Sequence, residues 1–237
     1  MTDEDEKQAD NLDSMSEPAC SGMALGVIGA GRLGLAVARL ALGAGMTVRV
    51  AGSGAPVRTR QVVAMFAPGA ETVAAEDLVD VGTVVLAMPL SAIDDLDPGM
   101  LEGSVVIDAM NYWPETDGMR PEFDDPTRPT STLVAARLAG AQVVKALNHV
   151  AFRDLEAGAK PVGSPYRIGI GIAGSGEALE RVAVVVRCLG FDPVPVGSLA
   201  ESGVLEPRGP VFGAAVPAEQ LRARIDAAQG RIASGDG

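Results

Sequence analysis

Three glycines, Gly29, Gly31 and Gly34, stand in the spacing GxGxxG, with Ala30 between the first two and Arg32 and Leu33 before the third. In a chain holding 29 glycines the spacing alone is a weak signal. Its context gives it weight. Ala24 to Ile28 reads as a strand, and Leu33, Ala36, Val37, Leu40 and Ala41 recur at helical spacing directly after it. At such a strand-to-helix turn the first glycine permits the tight reversal, the second lets backbone approach a pyrophosphate, and the third lets helix pack on strand. The free N–H groups of the helix start face the same anion with the positive end of the helix dipole. Residues 29 to 34 are therefore expected to cradle a dinucleotide.

The stretch that follows predicts which one. A site for NAD(H) places an acidic residue about 20 positions on, where it takes the ribose 2′-hydroxyl. Here that stretch is Arg49-Val50-Ala51-Gly52-Ser53-Gly54, and residues 30 to 70 contain no Asp or Glu at all. They do contain Arg32, Arg39, Arg49, Arg58 and Arg60, in a protein of net charge −12. A carboxylate would repel a 2′-phosphate and a guanidinium fork suits one, so NADP(H) is favoured. Ser53, on the loop after the second strand, is the expected phosphate contact, with Arg58 beside it. Arg39 reads as solvating a helix face.

Ligands of open α/β sheets lie outside the carboxyl ends of the strands. Those ends carry Met88-Pro89-Leu90, then Met110-Asn111-Tyr112-Trp113, then Lys145 to His149. The only tryptophan, the only histidine and one of two tyrosines fall in these loops, although aromatics make up 3% of the chain. Met88, Pro89, Leu90 and Asn111 are expected to line the cofactor. Lys145 and Asn148 are candidates to orient an anionic or carbonyl group, and His149 is a candidate proton carrier. Each also has a plainer reading: a strand-end lysine in solvent, a histidine satisfied by packing, a tryptophan covering its loop. No HExxH, GxSxG, P-loop or Cys/His ligand set is present, which leaves metalloenzyme, hydrolase and kinase readings without support.

The elements that must position these loops alternate. Strands are read at Ala24–Ile28, Met46–Ala51, Glu71–Val73, Thr83–Ala87, Ser104–Asp108, Gln142–Ala146, Ile168–Ala173 and Asp192–Val196, with helices at Val57–Phe66, Ser131–Leu138 and about Glu177–Leu189. The alternation predicts a Rossmann-type, doubly wound, mainly parallel α/β sheet over residues 23–150, with a small C-terminal α/β extension over 151–216 packed on the same unit. Residues 217–237 read as a peripheral helix with a frayed end, and Asn111 to Thr130, with four prolines, as a surface excursion. Residues 1–22 carry seven acids against Lys7 and no hydrophobic period, and are expected to be a disordered acidic tail. The acidic balance argues against nucleic acid and anionic membrane as partners. With no apolar run of about 18 residues and no basic, apolar leader, a cytoplasmic protein is expected. Cys20 and Cys188 show no metal or disulfide spacing and read as reduced thiols, Cys188 packed on a helix face.

Taken together, Ala24 to Gly34, Val50-Ala51-Gly52-Ser53, Ala87-Met88-Pro89-Leu90 and Val143 to His149 resemble the coenzyme F420-dependent NADP reductase family, and Ile107 to Trp113 looks like a signature of its bacterial branch. The resemblance spans residues 23 to about 213. It implies NADP(H) on the glycine turn, Ser53 on the 2′-phosphate, and a deazaflavin laid against the nicotinamide. It departs where the archaeal pattern has arginine after that serine, here Gly54, and where its strand-end histidine aligns with Asn148. The long apolar C-terminal helix used in archaeal pairing is also lacking, so a homodimer is an open expectation. Arg153, Lys160 and Arg167 are candidates to meet the coenzyme's acidic tail. The expected function is hydride transfer between NADP(H) and coenzyme F420 or a flavin, a small-molecule redox partner. Two alternatives stand beside it, a non-catalytic NADP(H) sensor or scaffold and a dehydrogenase of a small carbonyl compound, the latter needing a general acid.

The acid-free, arginine-bearing stretch sets a first test. Calorimetric titration is expected to show NADPH bound more tightly than NADH by on the order of 1.5 to 3 kcal/mol, the worth of one charge-assisted hydrogen bond; equal affinities would remove the argument.

Overall fold

A computed structural model describes residues 20–52 and 56–234. The expected acidic tail before Cys20 and the Ser53 contact lie outside the described residues. One eight-stranded sheet runs through the molecule in the order β3-β2-β1-β4-β5-β6-β7-β8. Its first six strands are β1 (Ala24–Ile28), β2 (Thr47–Ala51), β3 (Glu71–Thr72), β4 (Thr83–Leu86), β5 (Val105–Asp108) and β6 (Gln142–Lys145), all parallel. The order turns back between β1 and β4, the switch point at which doubly wound sheets bind nucleotides.

Parallel strands covered on both faces read as unbroken apolar runs, and β4 (TVVL) and β5 (VVID) are buried at every position. On one face lies α1 (Arg32–Gly43), which presses Gly34, Leu35, Ala36, Val37, Ala38 and Ala41 onto the sheet; its small residues let the helix backbone come close. α2 (Pro56–Phe66) follows β2. The Asn111–Thr130 excursion contains a single turn, α3 (Pro114–Asp117), before α4 (Thr130–Arg137) leads into β6. Far from hanging loose, it is folded inward: Tyr112 and Phe123 are buried in ring contact, with centroids 5.7 Å apart. The Tyr112 hydroxyl donates to the Gly118 carbonyl at 2.9 Å and accepts from the Arg120 N–H at 2.8 Å.

The C-terminal part continues the same sheet. After α5 (Phe152–Gly158), β7 (Gly169–Ala173) runs antiparallel to β6, meeting it at Lys145 and Ala173. Only that end overlaps, so β7 projects past the carboxyl end of β6. α6 (Gly176–Cys188) then crosses to β8 (Asp192–Gly197), parallel to β7. α7 (Ala218–Ser234), expected at the periphery, buries Leu221, Ile225 and Ala228 in a core shared with Val194, Val196 and Leu205.

The reduced-thiol reading is corrected. Cys20 and Cys188 form a disulfide across a sequence separation of 168, joining the residues before β1 to the last residue of α6. Spacing rules for cysteine motifs concern short separations, and this pairing is made by the sheet's tertiary path, which brings the first strand's lead-in beside the end of a helix 168 residues later. Closing so long a loop limits the unfolded chain strongly, so reduction is expected to lower unfolding stability by about 2–4 kcal/mol. Urea unfolding with and without dithiothreitol, alongside non-reducing peptide mapping, checks this.

Candidate functional site at the carboxyl ends of the strands

The turn between β1 and α1 shows three glycines with different reasons to be there. Gly29 has φ +122°, and a Cβ on it would stand 2.2 Å from the Ala87 carbonyl oxygen. A Cβ on Gly34 would stand 1.9 Å from the Gly29 carbonyl oxygen. Both are demanded by the chain's own packing. Gly31 is different: its φ of −84° suits any residue, and a Cβ there would meet nothing within 4 Å. Nothing inside the protein requires glycine at this exposed position. The start of α1 has no side-chain cap, so its first N–H groups are left open to a ligand. An open helix start beside a glycine kept clear of side-chain atoms fits a pyrophosphate, with Ala30 and Leu33 half-buried at its base.

The arginines sort themselves. Arg39 pairs with Glu156 at 2.5 Å and Arg49 with Glu71 at 3.3 Å, which engages both in the scaffold. Arg58 is exposed in the first turn of α2 and has no ion pair among the described residues. Arg32 turns away from the pyrophosphate path, its guanidinium 5.7 Å from the centre of the Phe152 ring at the start of α5.

Beyond β4, Met88 is half-buried and Pro89 exposed, whereas Leu90 is fully buried in the second core and lines no cleft. Between the ends of β5 and β6 two asparagines interlock. Asn111 Nδ2 donates to the Asn148 carbonyl at 2.8 Å, and Asn148 Nδ2 donates to Asn111 Oδ1 at 3.0 Å and to the Leu205 carbonyl at 2.7 Å. Leu147 before them has φ +64°, the one non-glycine residue in the left-handed region among those described. Such a backbone costs about 1–2 kcal/mol and is held here by full burial of its side chain. That kink is what turns Asn148 back toward Asn111.

Lys145, expected as a catalytic group in the cleft, lies completely buried below it. Its Nζ donates to the Met110 carbonyl at 2.6 Å and faces Asp108 Oδ2 at 3.3 Å. Asp108 also accepts from Ser131 Oγ at 2.6 Å and from the Met110 N–H at 3.0 Å. Removing one member of such a buried pair costs about 3–5 kcal/mol, so Lys145 ties the ends of β5 and β6 together, with none of its side chain at the surface. His149 is corrected in the same way. It is 1% exposed, its Nε2 accepts the Gly171 N–H at 3.0 Å and its carbonyl accepts the Gly213 N–H at 2.7 Å, which pins β6 to β7 and to the chain after residue 205. Burial pushes its imidazole down to about 4, so it is neutral at physiological pH, with Nε2 engaged as an acceptor.

What remains open at the rim is aromatic. Trp113 is 43% exposed and meets Phe212 edge-on, ring centroids 5.8 Å apart. Asp117 fixes the loop from below, accepting the Trp113 N–H at 2.8 Å and the Ser91 N–H at 2.9 Å. Phe212, Leu205 and Asp117 were missed in the sequence, since nothing local marks them as neighbours of the strand ends. Lys160 and Arg167 leave the site: Arg167 is buried against Asp192 and the carbonyls of Lys160, Arg187 and Phe191, and Lys160 turns to the Ala157 carbonyl. A separate cavity of about 510 Å³ lies at the amino end of β6, between Gln142, Ser175 and Leu199, away from the glycine turn. Among the described residues no group of His, Cys, Asp and Glu could hold a metal, and no helix is long and apolar enough to cross a membrane.

Strand order, glycine turn and open helix start define a dinucleotide-binding protein of the Rossmann class. Residues 24–112, from β1 to the aromatic loop after β5, match the family described as NADP oxidoreductase, coenzyme F420-dependent, so the resemblance read from the sequence holds over that span and the class narrows to NADP-dependent oxidoreductases. Among solved structures, a hypothetical protein from Sinorhizobium meliloti is 26% identical with a TM-score of 0.70, covering 82% of this chain and 95% of that one. A candidate F420-dependent NADP reductase from Arthrobacter sp. FB24 is 19% identical, TM-score 0.63, over 78% of this chain and 90% of its own. An imine reductase from Pseudomonas sp. shares the fold at 16% identity and TM-score 0.53, over 90% of this chain and 64% of its own. No curated protein matches the sequence.

The His149 pin has a consequence for acid stability. Its folded value of about 4 lies below the ordinary 6.5, so the unfolded chain binds the extra proton first. Stability is then full above about pH 6.5 and falls as the pH drops toward 4, by about 3 kcal/mol in all. Denaturant unfolding across that range is expected to show the loss in the wild type and a flattened profile in His149→Gln; identical profiles would contradict it.

Proposed function

We propose that the protein passes a hydride between NADP(H) and a planar second redox compound, a deazaflavin of the coenzyme F420 kind or a flavin. The observation that carries this reading is the contrast at the strand ends: the two side chains able to move a proton, Lys145 and His149, are sealed inside, while Trp113 stands open at the rim. A dehydrogenase acting on a carbonyl needs a general acid within reach of the substrate oxygen. Exchange between two ring systems needs only that both be held face to face and water kept out. NADP(H), when bound, supplies the hydride chemistry.

The chain's own residues do the rest. The open N–H groups of α1 and the clear space at Gly31 hold the pyrophosphate, and Arg58 is placed to meet a 2′-phosphate arriving past the end of β2. Asn111 and Asn148, locked to each other and to the Leu205 carbonyl, present a rigid polar floor between β5 and β6. Trp113, braced by Phe212 and Asp117, offers an exposed aromatic ring for stacking.

NADPH oxidation followed by absorbance against F420, FMN, FAD and simple carbonyls tests the reading. Reduction of F420 or a flavin is the expected outcome. Reduction of carbonyls alone would turn the protein into a dehydrogenase, and no turnover with tight NADPH binding would favour a sensor. In parallel, Gly31→Val is expected to abolish NADPH binding at unchanged melting temperature, because the new side chain occupies only the ligand's space; a folded variant of unchanged affinity refutes the turn assignment.

A further inference from the structure

A cationic feature of this site is carried by three side chains that the pyrophosphate turn does not use. Arg32, on the glycine turn, and Arg153, on α5, both place their guanidinium carbons over the Phe152 ring, 5.7 and 5.6 Å from its centre. Both are exposed, and neither has a carboxylate partner among the described residues. In a protein of net charge −12, two neighbouring cations left unneutralised mark a local field of opposite sign. Contact with the same aromatic ring offsets part of their mutual repulsion and holds both guanidiniums near it.

Their position in the fold decides what they could meet. Sheet order runs β2-β1-β4-β5-β6 across the site, so an adenosine half belongs on the β2 side of the glycine turn and a nicotinamide half on the β4 and β5 side. Phe152 and Arg153 follow β6, on the nicotinamide side. Arg32 leans toward them, and the backbone N–H groups of α1 already face the pyrophosphate. Resting on the reading that a second redox compound is reduced here, we infer that Arg32 and Arg153, gathered on the Phe152 ring, form a binding site for a phosphate-class anionic arm of that compound. The site sets a preference among acceptors: a ring system carrying an anionic side chain is held more tightly than the same ring without it.

FMN and riboflavin share one ring system and differ by one phosphate, which makes them the probes. Binding of each to the protein saturated with NADP⁺ is followed by flavin fluorescence, with turnover measured separately. Wild type is expected to bind FMN roughly five- to tenfold more tightly than riboflavin at low salt, as suits exposed charge-assisted contacts, and to lose that margin as salt rises. Arg153→Gln and Arg32→Gln should each remove most of the margin while riboflavin affinity stays put. A preserved FMN margin without any turnover would uphold the anion site and defeat the hydride-transfer reading. Equal affinity for the two flavins, with turnover of both, would uphold that reading and overturn the anion site. If the two substitutions weaken NADPH and not FMN, the cluster serves the cofactor's own phosphates and the inference is wrong; failure of both flavins to bind overturns it as well.

Discussion

The fully buried pairing of Lys145 with Asp108 is the constraint on which the site depends. The two residues end β6 and β5, neighbours in the sheet register, and neither charge has any access to water. Each therefore must be satisfied from within, and the partners that do so, Ser131, the Met110 N–H and the Met110 carbonyl, come from α4 and from the loop that carries Asn111 and Trp113. Because an unpaired charge here is so costly, any arrangement of the loop that withdraws these partners is disfavoured. Everything above that pair, the interlocked asparagines, the kinked Leu147 and the braced tryptophan, stands on a floor that cannot shift independently.

A second wall is supplied by the C-terminal part. Since β7 is antiparallel and overshoots β6, its backbone at Gly171 reaches the His149 imidazole, and the chain from Leu205 to Gly213 folds back over the same strand ends. Glu206 joins this wall to the start of α4 through the Thr130 N–H and hydroxyl. The extension thus covers one side of the strand ends that the first six strands present.

The glycine turn and the parallel sheet were legible in the sequence because their physics is local: a tight turn, a helix start and unbroken apolar strands each leave a pattern within ten residues. The roles of Lys145 and His149 were not, because residue type announces a chemistry but not the depth at which it sits. Lysine at a strand end is ordinarily in water; only the three-dimensional approach of Asp108, 37 positions earlier, takes it inside. Leu90 was misplaced for a similar reason, the short 3₁₀ turn after Pro89 swinging it into the core. Phe212 and the cysteine pair depend on contacts across long stretches of sequence, for which no short pattern exists.

The covalent link between Cys20 and Cys188 changes the topology of the molecule as well as its stability. Every strand from β1 to β7 lies inside the ring it closes, and with them the glycine turn and all three strand-end loops. A peptide bond cut anywhere in that ring yields no separate pieces: both halves stay tied through sulfur, and the nicked protein keeps the two ends of the break within one folded body. New termini opened at exposed loops inside the ring would accordingly leave a single covalent molecule.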